Sequence, residues 1–148
     1  MPILKNICEM NLLLDTHAFI WFINGDNDLP KQIISKIIDI NNKCYVSVAS
    51  LWEIAIKISL GKLTIKEDFN NLFDFINDNE MEILPISMLH LQKLLKLKYY
   101  HRDPFDRIII SQGISENFQI VTNDKNFEDY NVKIGSGYKS KRYQKSQI

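Results

Sequence analysis

Four acidic residues stand where the chain repeatedly stops being strand and becomes turn or helix. Asp15 follows Leu12-Leu13-Leu14, and Glu53 comes soon after Val46-Ser47-Val48. Asp106 lies in His101-Arg102-Asp103-Pro104-Phe105-Asp106-Arg107, and Asp124 follows Ile120-Val121-Thr122-Asn123. If the strands are parallel neighbours, all four carboxylates meet at one edge of one sheet. At ~5 Å and an effective dielectric of about 20, each like-charge pair costs roughly 3 kcal/mol. A divalent cation relieves that repulsion, takes oxygen ligands, and activates water for hydrolysis. Asp15, Glu53, Asp106 and Asp124 are therefore the candidate metal-binding and catalytic set.

Each acid also has a plainer use. Asp15 can cap the helix that follows it. Ser50-Leu51-Trp52-Glu53 has the spacing of a capping box, with Glu53 reaching back to the Ser50 backbone. In Asp103-Pro104-Phe105-Asp106 the first residue can cap, Pro104 suits the first helical position, and Asp106 complements the helix dipole. Asp124 beside Asn123 fits turn chemistry. Singly these uses suffice. Jointly they must explain why four acids fall at one edge of the inferred sheet.

That sheet follows from apolar spacing. Asn11–Leu14 reads as a short buried strand, then His17–Asn24 as a helix closed by Gly25. Pro30–Asn41 is a second helix with Ile33, Ile34, Ile37 and Ile38 as its inner stripe. Cys44–Val48 is a β-branched strand, and Leu51–Leu60 a helix apolar enough to be buried on most sides. Glu67–Asn79 is amphipathic, Glu82–Ile86 is a strand, and Ser87 caps a helix running to about Leu97. Pro104–Asn117 is a helix, Gln119–Thr122 a strand, and Asn131–Ile134 a final edge strand. Alternating strands and helices imply an α/β fold: a three-layer α/β/α sandwich around a central, mostly parallel sheet. Ligands bind outside the carboxyl ends of such strands, where Asp15, Glu53 and Asp124 fall. Asp106 joins them if the loop at 98–103, roughly 20 Å when extended, returns the chain to that edge.

The 148 residues suit one domain, placed at 1–134, followed by a basic tail at 135–148 that reads as a flexible electrostatic arm. Charge is balanced overall but not locally. Residues 1–92 carry a net −5 and residues 93–148 a net +5, which suits an acidic pocket beside a surface for an anionic polymer. Arg107, Arg102 and His101 flank Asp106 and are candidate contacts to an RNA backbone; an ion pair with an acid of the site is the other use of Arg107. Thr16 and Thr122 are supporting residues that can hydrogen-bond the carboxylates, or simply cap. His17 and His90 read as packing residues, and Trp21, Phe22 and Trp52 as core or interface rather than base-stacking platforms. Cys8 and Cys44 read as free thiols of a reducing compartment. Lys5 and Glu9 break up the start, and no apolar run approaches a membrane span, so the expected location is the cytoplasm, with no membrane partner.

Four segments together carry a resemblance. They are Leu12-Leu13-Leu14-Asp15-Thr16-His17, then Ser47 to Lys57, then His101 to Gln112, and last Ile120-Val121-Thr122-Asn123-Asp124. In order and spacing they resemble the PIN-domain family, specifically toxins of VapC-type toxin–antitoxin pairs, over about residues 11–134. The resemblance implies a PIN-like parallel sheet between helices and a Mg²⁺- or Mn²⁺-dependent endoribonuclease whose metal-binding acids map onto Asp15, Glu53, Asp106 and Asp124. Asp103 belongs to the longer motif of this subgroup, as a cap or outer ligand. The resemblance further implies RNA as substrate, a homodimer, and a small antitoxin in a hetero-oligomer. Phe19, Ile20, Phe22 and Ile23 would line the antitoxin groove or serve the core. Departures lie at Ser111 and Gly113, where many relatives have Ala, and in the basic tail; Gly113 is expected to loosen its helix by up to about 1 kcal/mol. A non-catalytic PIN-like module that binds RNA or a partner is the alternative. A receiver domain lacks its late-strand Lys here, since Lys125 directly follows Asp124. A haloacid-dehalogenase-type phosphatase lacks its second Asp, since His17 takes that place.

Overall fold

The computed structural model describes residues 9–129 and 133–134. Cys8, the first two residues of the expected edge strand (Asn131 and Val132) and the basic tail at 135–148 lie outside the described residues. Strand β1 is Asn11–Leu14, helix α1 Thr16–Asn24, α2 Lys31–Ile38, β2 Lys43–Ser47, and α3 Val48–Ser59. A 3-10 turn at Phe69–Asn71 leads into α4, Leu72–Asp78, then β3, Met81–Leu84, and α5, Met88–Lys96. Helix α6 is Pro104–Glu116 and β4 Gln119–Val121; a 3-10 turn at Lys125–Asp129 precedes β5, Lys133–Ile134.

The five strands form one sheet in the order β3-β2-β1-β4-β5, and every pairing is parallel. The chain first builds outward from β1 through β2 to β3, then crosses back through α5 and α6 to place β4 on the other side of β1. The strand order therefore reverses between β1 and β4. A crevice opens at such a reversal, beyond the carboxyl ends of the two strands.

Alternation along β1 sorts the core into two layers. Leu12 and Leu14 face one side, packed with Phe19 and Ile23 of α1, Ile33 and Ile37 of α2, and Leu72 and Ile76 of α4. Leu13 faces the other side, with Ile108, Ile109 and Ile110 of α6, Ile120 and Phe127. Helices thus cover both faces, and the expected three-layer sandwich is what forms. No helix among the described residues is long and apolar enough to cross a membrane.

Local chemistry moved several boundaries. Helix α2 stops at Ile38 because the Asp39 side chain accepts from the Asn41 N–H and the Asn42 amide donates to the Lys36 carbonyl. The inner stripe is therefore Ile33 and Ile37, while Ile38 is exposed. Ser47 ends β2 and caps α3 by accepting from the Ala49 N–H, so Val48 is helical rather than extended. Helix α3 is not buried on most sides: Val48, Trp52 and Leu60 lie open on its outer face. The amphipathic stretch after Glu67 starts as a 3-10 turn capped by Asp68, and its Phe73 is exposed.

Candidate metal centre

Asp15 caps α1 and sits directly beyond the end of β1. Its backbone N–H donates to Val121 O on β4 at 3.0 Å, which pins it at the strand-order reversal. Oδ1 accepts from the Ala18 N–H at 2.8 Å, and Oδ2 accepts from the Thr122 hydroxyl at 2.6 Å. Capping therefore takes one oxygen and leaves the other tied across the crevice. Burial pushes its carboxyl up to about 6 against those two hydrogen bonds, with the Asp124 charge adding to the rise.

Thr122 joins two of the acids. Its hydroxyl donates to Asp15 and accepts from the Asp124 N–H at 3.0 Å. Asp124 Oδ1 takes the Asn126 N–H at 2.9 Å, so the turn chemistry is present, but Oδ2 is directed to His101 Nε2 at 3.0 Å. The other threonine behaves differently. Thr16 is buried and donates to Ser50 Oγ at 3.0 Å, so it locks α1 to α3 instead of touching a carboxylate.

Glu53 is not part of a capping box. The cap of α3 is Ser47, which places Ser50 inside the helix and Glu53 in its second turn. Glu53 is only 4% exposed. Oε2 pairs with Lys57 Nζ at 2.7 Å, one turn along. Oε1 is buried with no hydrogen-bond partner among the described residues. A buried carboxylate oxygen left bare is costly, and a cation or a metal-bound water answers it.

Asp103 caps α6 through Oδ1, which accepts from the Phe105 and Asp106 N–H groups at 2.8 and 3.1 Å. Pro104 fills the first helical turn, and Asp106 then projects into the crevice. Asp106 Oδ2 lies 2.9 Å from His101 Nε2. Burial, then the Asp103 charge, raise its carboxyl to about 7; His101 opposes, and Asp15 and Glu53 push it further up. Asp106 thus feels the charges of Asp15 and Glu53, and Asp15 that of Asp124.

His101 plays a part that its place in the sequence did not disclose. It was expected to contact RNA, yet it bridges Asp106 and Asp124, and those three ligand atoms lie within 4.8 Å of one another. Nδ1 accepts from the Asp103 N–H at 3.2 Å, so the ring hydrogen is on Nε2, aimed at the carboxylates. Arg107 is another correction. It is 5% exposed, donates to the Lys98 carbonyl at 2.9 Å and lies over the Tyr99 ring at 3.9 Å. A guanidinium held inside by loop carbonyls braces residues 97–101 rather than facing a phosphate. Arg102 is exposed. Lys57 is the site residue missed, although the Glu53-x-x-x-Lys57 spacing was visible; His101 was named in another role, and nothing local in the sequence joins it to Asp124.

Other expectations also change. Phe19, Ile20 and Ile23 are buried in the core and cannot line an open groove, and Phe22 is half-buried against Phe75. Trp52, read as a core or interface residue, is 60% exposed and so is not a core residue. His90 is buried and His17 exposed. Cys44 is a buried free thiol, pushed up to about 12 by that burial.

The donor set fits a hard divalent ion. Ligand atoms of His101, Asp106 and Asp124 lie close enough together to hold one, and Glu53 keeps a buried, bare oxygen.

The PIN domain family model matches residues 12–133. Among solved structures, the chain is similar to one of VapBC2 from Rickettsia felis bound to a DNA fragment from their promoter. Identity is 23%, the TM-score is 0.67, and the match covers 86% of this chain and 98% of that one. DNA-bound VapBC from Salmonella typhimurium matches at 18% identity and a TM-score of 0.65, with the same coverage. VapBC-1 from nontypeable Haemophilus influenzae matches at 19% and 0.65, again over 86% and 98%. No curated protein matches the chain.

Proposed function

The chain belongs to the PIN-domain family, and from that premise we propose that it is the toxin of a toxin–antitoxin pair, a Mg²⁺- or Mn²⁺-dependent endoribonuclease. PIN domains are in general nucleases, and divalent metals are their usual cofactors. The observation that carries the reading is the Asp106 carboxyl, joined to Asp124 through His101 and raised by the charges of Asp15 and Glu53; Asp15, Glu53, Asp106 and Asp124 are the acids that would hold the ion. Magnesium or manganese held there would neutralise charge on a phosphodiester and supply a water acidic enough to attack it.

The chain's own groups do the rest. Asp15 and Asp124 are kept in register by the Thr122 hydroxyl. Lys57 holds one oxygen of Glu53 and leaves the other bare. Asp103 fixes both the start of α6 and the His101 ring, so Asp106 and the imidazole move as a unit. Arg107 keeps the loop that carries His101 folded. Exposed Arg102 remains a candidate contact to the RNA backbone.

The likeness to VapBC complexes supports an antitoxin partner; a hetero-oligomer, a homodimeric toxin and work in the cytoplasm on RNA belong to the same proposal. The test is inducible expression in bacteria of wild type and Asp106→Asn with RNA ends mapped, paired with cleavage of RNA by the purified chain across a magnesium and manganese titration. Growth arrest with defined RNA ends, in wild type alone, is the expected result. RNA bound but never cut at any metal concentration would favour the non-catalytic module instead.

A further inference from the structure

Trp52 immediately precedes Glu53, and Phe105 immediately precedes Asp106. Consecutive helical residues point about 100° apart. Where α3 meets α6, Glu53 is buried and Asp106 half-buried, and the two aromatic rings meet along the seam. The rings meet edge to face, with centroids 5.1 Å apart and planes at 85°. Phe105 is half-buried and packs against the core layer under α6, but Trp52 is 60% exposed and takes no place in either core layer. An edge-to-face pair leaves ring surface uncovered, and here that surface is mainly indole.

We propose that Trp52, propped by Phe105, is a stacking ledge for one unpaired base of the RNA, next to the phosphate that is cut. The proposal rests on the ribonuclease reading and names a subsite within it. Two observations and one general property of bases select a base over other occupants. The ring and its support each adjoin, in sequence, an acid that would face the phosphate, Glu53 on α3 and Asp106 on α6. Its rigid support is a second ring from the other acid-bearing helix, which fixes the plane without filling it. A base offers a π-face of matching size whatever its identity, so a ledge of this kind tolerates sequence and orients the strand.

Base–aromatic stacking removed by alanine costs roughly 5- to 150-fold in affinity. The experiment uses the full chain as wild type, Trp52→Ala and Trp52→Phe, on a single-stranded oligoribonucleotide spanning a mapped cut site. Each base flanking the cut is replaced in turn by an abasic nucleotide. Trp52→Ala should lose a factor in that range in kcat/KM, mostly through KM, and Trp52→Phe should recover most of it. One abasic position should cost the wild type a similar factor and cost Trp52→Ala nothing. The rise in Tm with magnesium should be equal in all three proteins.

An abasic penalty of the same size in wild type and Trp52→Ala overturns the ledge while leaving the nuclease standing. So does a Trp52→Ala protein that cuts normally but no longer binds a second copy or the antitoxin, which would make the ring a protein contact. A wild type that cuts no RNA under magnesium or manganese overturns the ribonuclease reading, and the ledge with it.

Discussion

Two histidines in this molecule are built alike and surrounded differently. His90, at the start of α5, accepts the Ser87 N–H on Nδ1 and faces Glu116 with Nε2 at 2.8 Å. His101 accepts the Asp103 N–H on Nδ1 and faces Asp106 and Asp124 with Nε2. Around His90 a single acid, Glu116, stands among uncharged polar groups, all of them hydrogen-bonded except Gln112 Oε1, which is buried without a partner among the described residues. Ser111 donates to its carbonyl, Gln112 donates to Pro85 O at 3.3 Å, and Ser87 closes a capping box with it. One histidine meets one acid, and the α5–α6 joint is welded. Around His101 one imidazole meets two carboxylates with more acids nearby; burial and neighbouring charge raise Asp106, and burial with the Asp124 charge raises Asp15. A histidine–carboxylate pair is thus no sign of function by itself. Uncompensated buried charge is, because folding tolerates it at a cost in stability that only a ligand relieves.

The sharpest way to break the comparison is to neutralise one acid. Asp106→Asn should lower RNA cleavage by at least about 100-fold, since a cation's stabilisation of transition-state charge is worth several kcal/mol. The same change should make the metal-free protein more stable, because it removes a charge that Asp103, Asp15 and Glu53 oppose. Cleavage assays and metal-free thermal melts check both halves. An Asp106→Asn chain that is inactive and also less stable would point to a structural carboxylate instead.

The pH dependence sharpens the same point. The folded values of Asp15 and Asp106, about 6 and about 7, both lie above the ordinary 3.8. The folded chain therefore holds protons that the unfolded chain gives up. This contribution is complete below pH 3.8, is lost as pH rises through 6 and 7, and is flat above that; for Asp15 alone it is on the order of 3 kcal/mol. Metal-free melts should show Tm falling from pH 5 to pH 8. Protons and cation compete for the same oxygens, so the added stability from magnesium should grow over that range. A metal-free Tm that climbs steadily from pH 5 to pH 8 would contradict the crowding of carboxylates.

At the other histidine the expected pattern is the reverse. His90→Ala leaves the Ser87 N–H and the Gln112 amide short of a partner and opens a small void beneath α5. The loss should be about 2 kcal/mol, seen as a lower denaturation midpoint, while the cleavage rate at low temperature stays near wild type.

What the sequence disclosed follows the range of the interactions. Asp15, Asp103 and Ser87 were legible as caps because the groups they bond lie within three residues. The parallel order was legible because Leu12–Leu14, Val46 and Ile120–Val121 are too apolar to face water. The Ser50–Glu53 box was misread because Ser47, three residues earlier, reaches the helix start first; both spacings look alike in one dimension. The Thr122–Asp15 bond and the His101–Asp124 contact span 107 and 23 residues, and only the folded register makes them. The apolar run of α3 suggests burial on most sides, with Trp52 in the core or an interface, whereas α3 buries only the face carrying Ala49, Ser50, Glu53 and Ile54.

The smallest effect tests packing at the back of the site, at Gly113. Helix propensity alone says that Gly113→Ala should stabilise α6 by about 1 kcal/mol. The packing says otherwise. A Cβ there would stand 2.5 and 2.7 Å from Cδ1 and Cγ1 of Ile120, a fully buried residue of β4. Gly113 is what lets α6 lie close against the strand that leads to Thr122 and Asp124. Overpacking of a tight core costs about 1–3 kcal/mol. The net result should be a destabilisation of about 1 kcal/mol, read as a lower denaturation midpoint with an unchanged denaturant slope. Gly113→Ala paired with Ile120→Val, which trims the clashing Cδ1, should recover part of the loss. If Gly113→Ala alone raises the midpoint, α6 and β4 are looser than drawn, and the shared position of Asp106 and Asp124 loses its support from behind.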